Sequence, residues 1–375
     1  MWFPSWLRNQ QRSPFVNKRP AFRPALETLE DRWLPSTLTV NTIADSGSGS
    51  LRADIAAAHN GDTIVFDTSL TGQTITLKSG ELLIKHNITI AGLGADKLTI
   101  SGGNSSRVFE VAATVAKPVT LSGLTISDGN ADTYGGGAGI LNAATLTVSN
   151  CTLSNNITTG DGGGIQNDGT LTVNNCIFSH NEGDGGGIYN SGYLTVSGCT
   201  LSDNTAGRGF GGGIENHGTA TVNDSTLSGN SAHYGGGIYN QSGTVGRLTV
   251  KGSTLFDNSA IVGGGIDMGN GSLTISGCTL SSNSATSAGG GIYVNNGPGA
   301  YASTVTVSNS VIGPAIVNGS MLPGNTATTS GGGIYVASGA TVYLDSFTVT
   351  NIINNTDSSG LNGPTANIDG SYMLR

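Results

Sequence analysis

From Ser36 to about Thr356 the chain is written in short alternating runs, apolar residue then small polar residue, as in Leu194-Thr-Val-Ser197 and Thr200-Leu-Ser202. Alternation is the period of a half-buried strand, and the runs are too short and too regular for a helix. Gly, Asn and Ser separate them and supply the turns. The runs also repeat. Gly-Gly-Gly-Ile begins at Gly162, Gly185, Gly211, Gly235, Gly263, Gly289 and Gly331, and a variant at Gly135 reaches Ile140. The spacing is about 24 residues, within the range that marks stacked units rather than one central core.

Laid over one another, the units form columns. Val148, Val173, Val196, Val222, Val250, Ile275 and Val307 share one position. Leu153, Phe178, Leu201, Leu227, Leu255, Leu280 and Ile312 share another, and Cys151, Cys176, Cys199, Ser225, Ser253, Cys278 and Ser310 a third. One Asn column runs Asn156, Asn181, Asn204, Asn230, Asn258, Asn283, and a second Asn142, Asn167, Asn190, Asn216, Asn240. Such columns are what a parallel β-helix requires, with coils about 4.8 Å apart and like residue over like. Aliphatic columns would fill the bore, and stacked Asn amides would bond along the axis. Gly triplets would permit positive φ or close backbone approach. The expected fold class is all-β: a right-handed parallel β-helix, a solenoid of roughly a dozen coils, on the order of 55 Å long.

One segment breaks the alternation. Ser50-Leu-Arg-Ala-Asp-Ile-Ala-Ala-Ala-His59 predicts a short helix with Ser50 as N-cap and Leu51, Ile55 and Ala58 on one face. Its expected place is over the N-terminal end of the bore, which must be hidden from water. The domain plan is therefore a leader at 1–35, the β-helix at 36–356 and a polar tail at 357–375.

Charge changes the picture little. Charged residues are 11% of the chain and the net charge is −8. Residues 1–35 carry six Lys or Arg against three acids, and the remainder ten against 21. An acidic, weakly charged array is not expected to bind nucleic acid. No stretch of 18 or more apolar residues marks a transmembrane helix. The four cysteines share a column with serines, which predicts buried, reduced thiols; a bridge between neighbouring coils is the alternative that spacing leaves open.

The leader lacks the apolar core of a signal peptide. Its segment Leu26-Glu-Thr-Leu-Glu-Asp-Arg-Trp-Leu-Pro-Ser36 resembles a short motif near the start of many exported planctomycete proteins, which implies export. The Ser50-Leu-Arg helix followed by Gly61-Asp-Thr-Ile-Val-Phe66 is similar to the opening of many secreted bacterial right-handed β-helix proteins. Over about residues 130–335 the repeats resemble those of the chlamydial polymorphic outer-membrane proteins, which pair Gly-Gly-x-Ile with Phe-x-x-Asn. The second element stands intact as Phe178-Ser-His-Asn181 and elsewhere as Leu-x-x-Asn. That resemblance implies a secreted or cell-surface passenger, often an adhesin. The membrane barrel of that family has no counterpart in the sequence, and a fragment of a larger surface protein is a further reading.

Parallel β-helices also carry glycan enzymes, so chemistry has to be sought. The Asp-Asp, Gly-His-Gly and Arg-x-Lys elements of polygalacturonase-like sites are absent, and Arg208, Arg247 and Lys251 fall in different columns, as do His180, His217 and His233. Two features stand out. The residue after each Ile points out of the coil: Gln166, Tyr189, Glu215, Tyr239, Asp267, Tyr293 and Tyr335. Tyr and acid alternate, with every second coil about 9.6 Å apart, near a disaccharide repeat. Aromatic faces beside carboxylates suit sugars, although Tyr is also an ordinary residue on an exposed sheet. Glu215 and Asp267 have a separation compatible with an inverting hydrolase. The second feature is the bend before the triplet, where Asp132, Asp161, Glu182 and Asp184 gather. Solvated turn carboxylates are the expectation there, with calcium bridging as the alternative.

The leading expectation is a non-catalytic, secreted or cell-surface protein that binds polysaccharide or a surface protein partner along one face, with no cofactor beyond that calcium. The alternative is a carbohydrate-active lyase or hydrolase, for which the insertion at 313–324 is the candidate site-bearing loop.

Overall fold

A computed structural model describes residues 34–131, 135–241, 246–295, 303–357 and 367–375. Pro35–Arg375 forms one compact unit; the leader, apart from its last residues, lies outside the described residues. In that unit the chain winds through about 12 turns of a parallel β-helix. Among the described residues its strands form stacked parallel sheets of 13, 11, 10 and 7 strands, and one antiparallel hairpin stands apart.

A single coil shows why. Ile188–Asn190 belongs to the 11-stranded sheet, Tyr193–Ser197 to the 13-stranded, Thr200–Ser202 to the 10-stranded and Thr205–Phe210 to the 7-stranded. Alternation sends Ile188, Leu194, Val196 and Leu201 inward, where each is buried. Each such side chain contributes about 1.5–3 kcal/mol on burial. Register then places like on like: Leu171 opposite Leu194, Val173 opposite Val196, and Val196 opposite Val222. The bore is one continuous apolar cluster from Val40 to Ile352.

Polar columns hold the corners. Asn181 Nδ2 donates to Asn204 Oδ1 at 2.9 Å, Asn204 to Asn230 at 3.0 Å and Asn230 to Asn258 at 2.9 Å. The ladder continues through Asn283 and Asn325 to Asn355. In the second column Asn142, Asn167, Asn190, Asn216 and Asn240 are joined at 2.6–2.7 Å. It ends where Asn240 meets the Met268 sulfur at 3.2 Å. All four cysteines are free and buried. Their column is polar in use: Cys176 N–H donates to the Cys199 sulfur at 3.4 Å, and Cys199 N–H to Ser225 Oγ at 3.1 Å. That shared acceptor role is why Cys and Ser interchange there.

The triplet before each Ile turns the chain from the 7-stranded to the 11-stranded sheet. Gly185 has φ +62°, a conformation that disfavours a side chain. A Cβ on Gly186 would stand 2.6 Å from Gly212 O, and one on Gly187 2.5 Å from Gly213 O. The next coil leaves no space there, so all three positions require glycine. Two other bends take the left-handed conformation in successive coils, at Asn150, Asn175 and Asp224 and at Asn155, His180 and Asp203; Asn and Asp tolerate it through local hydrogen bonding.

The expected helix forms over Leu51–Ala57. Ser50 caps it by accepting from Ala53 N–H at 3.2 Å, and Leu51, Ile55 and Ala58 are buried. It packs on the first strand, Thr37–Val40, and on Leu82–Ile84. At the other end, Ile368–Asp369 and Met373–Leu374 join the 11- and 13-stranded sheets, so the segment read as a polar tail supplies strands. The insertion at 313–324 folds as a hairpin of Ala315–Val317 and Ser320–Leu322. Asn318 and Gly319, both at positive φ, make its turn.

Candidate functional site

The sheet that carries the Ile-x-Asn strands has an outer column in perfect register: Gln166, Tyr189, Glu215, Tyr239, Asp267, Tyr293, Tyr335. Its side chains leave the bore, as expected, but they are not uniformly open to solvent. Glu215, Tyr239 and Asp267 are buried at 3%, 6% and 3% exposure, while Tyr189, Tyr293 and Tyr335 are half-buried. The cover comes from a flanking column of which the sequence showed only the acidic members, Asp161 and Asp184. Across the glycine turn, Asp161 pairs with Asp184, Phe210 with Tyr234, and Tyr234 with Val262. Each is the residue immediately before a triplet, which is the signal that could have found this column.

The face divides into an acidic and an aromatic part. Toward the N-terminus stand Asp161, Asp184, Tyr189, Glu215 and His217. Glu215 and His217 Nε2 are 2.6 Å apart, and the Tyr189 and His217 rings lie 5.4 Å apart. Burial raises the Glu215 carboxyl above its ordinary range, against the opposing effect of His217. The bond to Glu215 in turn raises the His217 imidazole. Burial raises Asp184, and burial with the neighbouring Asp184 charge raises Asp161. Tyr189 is pushed up to about 12 by burial and by the surrounding carboxylates, Asp161 first.

The two bends read as calcium candidates, Asp161 and Asp184, are thus neighbours. Glu182 opens the same strand two residues before Asp184, and Asp132 lies outside the described residues. Among the described residues no group of three or more His, Cys, Asp or Glu is placed to hold a metal ion.

Toward the C-terminus the face is aromatic. Phe210 stacks on Tyr234 at 5.0 Å between centroids and lies 4.5 Å from Tyr239. Tyr293 and Tyr335 stack at 4.9 Å and 5°. Between these groups opens a cavity of about 320 Å³, lined by Phe210, Tyr234, Tyr239, Val262, Asp267, Gly269, Tyr293 and Asn295. The cavity exists because Asp267 is short where its neighbours along the column are tyrosines, and because Gly269 has no side chain to fill it. Tyr239 stands between Glu215 and Asp267 in the register, and Glu215 does not line the cavity. The two carboxylates therefore do not share a cleft. No residue of the 315–322 hairpin lines it either.

A model of the right handed beta helix region matches residues 36–255 and 136–312. The chain belongs to the right-handed β-helix family. No curated protein matches this β-helix chain. Among solved structures it is similar in fold to AlyGC, an alginate lyase of the PL6 family, at 15% identity and a TM-score of 0.36. The likeness covers 90% of this chain and 53% of the lyase, so the chain spans about half that enzyme's length.

Proposed function

We propose that this β-helix is a secreted or cell-surface structural protein that binds polysaccharide along the outer face of its Ile-x-Asn sheet, without turning it over. The observation that carries the reading is the stacked, half-buried pair Tyr293 and Tyr335, flat to within 5°, on the same column as Tyr189. Flat aromatic faces take the apolar face of a sugar ring, and adjacent carboxylates accept from its hydroxyls. Glu182 and Asp184 edge a hollow of about 480 Å³ on the neighbouring 7-stranded sheet. The separation of Glu215 from Asp267 by Tyr239 supports binding over hydrolysis, since two carboxylates must flank one glycosidic bond.

The test is a glycan array on the full chain, followed by reducing-sugar and unsaturated-uronide assays on every ligand found. Binding weakened at least tenfold by Tyr335→Ala or Tyr189→Ala, with no turnover, is expected. Turnover of any polysaccharide would establish the enzymatic alternative instead.

A further inference from the structure

The aromatic cavity holds an unusual group. Asp267 is 3% exposed, and among the described residues its Oδ1 has no hydrogen-bond partner. A buried carboxyl oxygen without a partner is destabilising unless something else meets it. The carboxyl lies in a lining that offers nothing positive. Phe210, Tyr234, Tyr239 and Tyr293 present ring surfaces, Val262 and Gly269 are neutral, and Asn295 is an amide. Tyr239 and Tyr293 lie one coil to either side of Asp267, about 9.6 Å apart by coil spacing. That gap accepts one ligand layer between two rings.

Aromatic faces are electron-rich, so rings enclosing a buried carboxyl favour a cation over a neutral ligand. We propose that this cavity binds an organic ammonium group, seated between Tyr239 and Tyr293 with its positive charge on the Asp267 carboxylate.

Protons follow from this. Burial raises the empty-site Asp267 carboxyl well above the ordinary carboxylate range. The titratable groups facing it are the phenols of Tyr234, Tyr239 and Tyr293. Burial also raises the phenols of Tyr239 and Tyr293, which stay protonated. A cation in the cavity favours the ionised carboxylate, so a proton held by Asp267 goes to solvent, the ammonium keeps its own charge, and an ion pair forms. Below the raised pKa of the empty site, binding therefore releases protons and affinity rises with pH.

The site does not depend on the polysaccharide reading. Loss of neutral-glycan binding in Tyr335→Ala leaves it intact, because Tyr335 does not line the cavity.

The ammonium could belong to an amino sugar or to a quaternary head group, and the probes separate the two. Calorimetric titrations of the full chain with glucosamine, choline and N-acetylglucosamine, each in two buffers of different ionisation enthalpy, measure affinity and proton release together. The expected result is binding of glucosamine or choline with net proton release that falls away as pH rises. N-acetylglucosamine should bind at least tenfold more weakly, and Asp267→Asn should lose at least tenfold in affinity for the cation. Asp267→Asn keeps the side-chain shape; its circular dichroism should match the parent, and Tyr239→Leu provides an independent variant. Failure of both cations to bind, equal binding of N-acetylglucosamine, or undiminished cation affinity in Asp267→Asn overturns the proposal.

Discussion

Asn204→Ala asks how much one amide contributes to holding two coils together. Asn204 is fully buried. Its Nδ2 donates to Asn230 Oδ1 at 3.0 Å and to Phe178 O at 3.1 Å. Its Oδ1 accepts from Asn181 Nδ2 at 2.9 Å and from the Asn181 backbone N–H at 3.1 Å. Alanine deletes all four bonds. Each contributes about 1 kcal/mol net, and the Asn181 N–H, stranded in the interior, adds about 1–3 kcal/mol more. A loss of about 5 kcal/mol is expected, large against the about 5–15 kcal/mol that stabilises most domains. Asn223→Ala is the control. Asn223 faces outward and half-exposed on the 13-stranded sheet, and its loss should stay within about 0.5 kcal/mol. Guanidinium denaturation followed by far-ultraviolet circular dichroism measures both, and equal m-values across the three proteins license the comparison. A loss below about 1 kcal/mol for Asn204→Ala at unchanged m would refute the view that the ladder binds coil to coil.

Other variants probe separate parts of the account. Gly186→Ala should destabilise by about 3 kcal/mol, because its Cβ meets backbone atoms of the next coil that cannot yield without parting the coils; thermal melts read this directly. Cys199→Ser should stay within about 1 kcal/mol of the parent, whereas Cys199→Val should lose about 1–3 kcal/mol by removing the acceptor for Cys176 N–H. Asp267→Asn should raise the melting temperature at pH 7 and leave it unchanged below the ordinary aspartate value of 3.8. The folded state holds a proton there that the unfolded state releases, so the parent loses stability as pH rises from that value toward the folded one. A gain that persists in acid would contradict the assignment. His217 should titrate above its ordinary range by NMR and return toward it in Glu215→Gln.

The fold was legible because a solenoid writes its contacts at a fixed period. Residues about a repeat apart touch, so Val173 over Val196 and Asn181 over Asn204 could be read by aligning the chain with itself. The capping helix was legible for a local reason, the Ser50 cap and the spacing of Leu51, Ile55 and Ala58. The site was legible only in one dimension. The column from Gln166 to Tyr335 follows from the repeat, but its burial does not. Burial depends on a second column, Asp161 to Val262, that approaches it across the glycine turn. A residue before one triplet and the residue after the Ile of the next coil look remote in an alternating pattern, yet turn and stacking together set the Phe210 and Tyr239 ring centroids 4.5 Å apart. The 315–322 hairpin was legible only as an interruption of the repeat; its Asn318-Gly319 turn closes two strands that do not line the cavity.

Spin-label distances along the outward Thr column test the stacking itself. Thr147, Thr172, Thr195, Thr221, Thr249, Thr274 and Thr306 are successive register partners, although the segments between them differ in length. With the four native cysteines replaced by serine, one label stays at Thr147 and the second moves to Thr221, Thr249, Thr274 or Thr306. Double electron–electron resonance should give distances rising by about 4.8 Å per coil, from about 14 to about 29 Å. Increments that track the number of intervening residues, or that fail to rise along the series, would contradict the stacked coils on which the site, its cavity and its proposed ligands all stand.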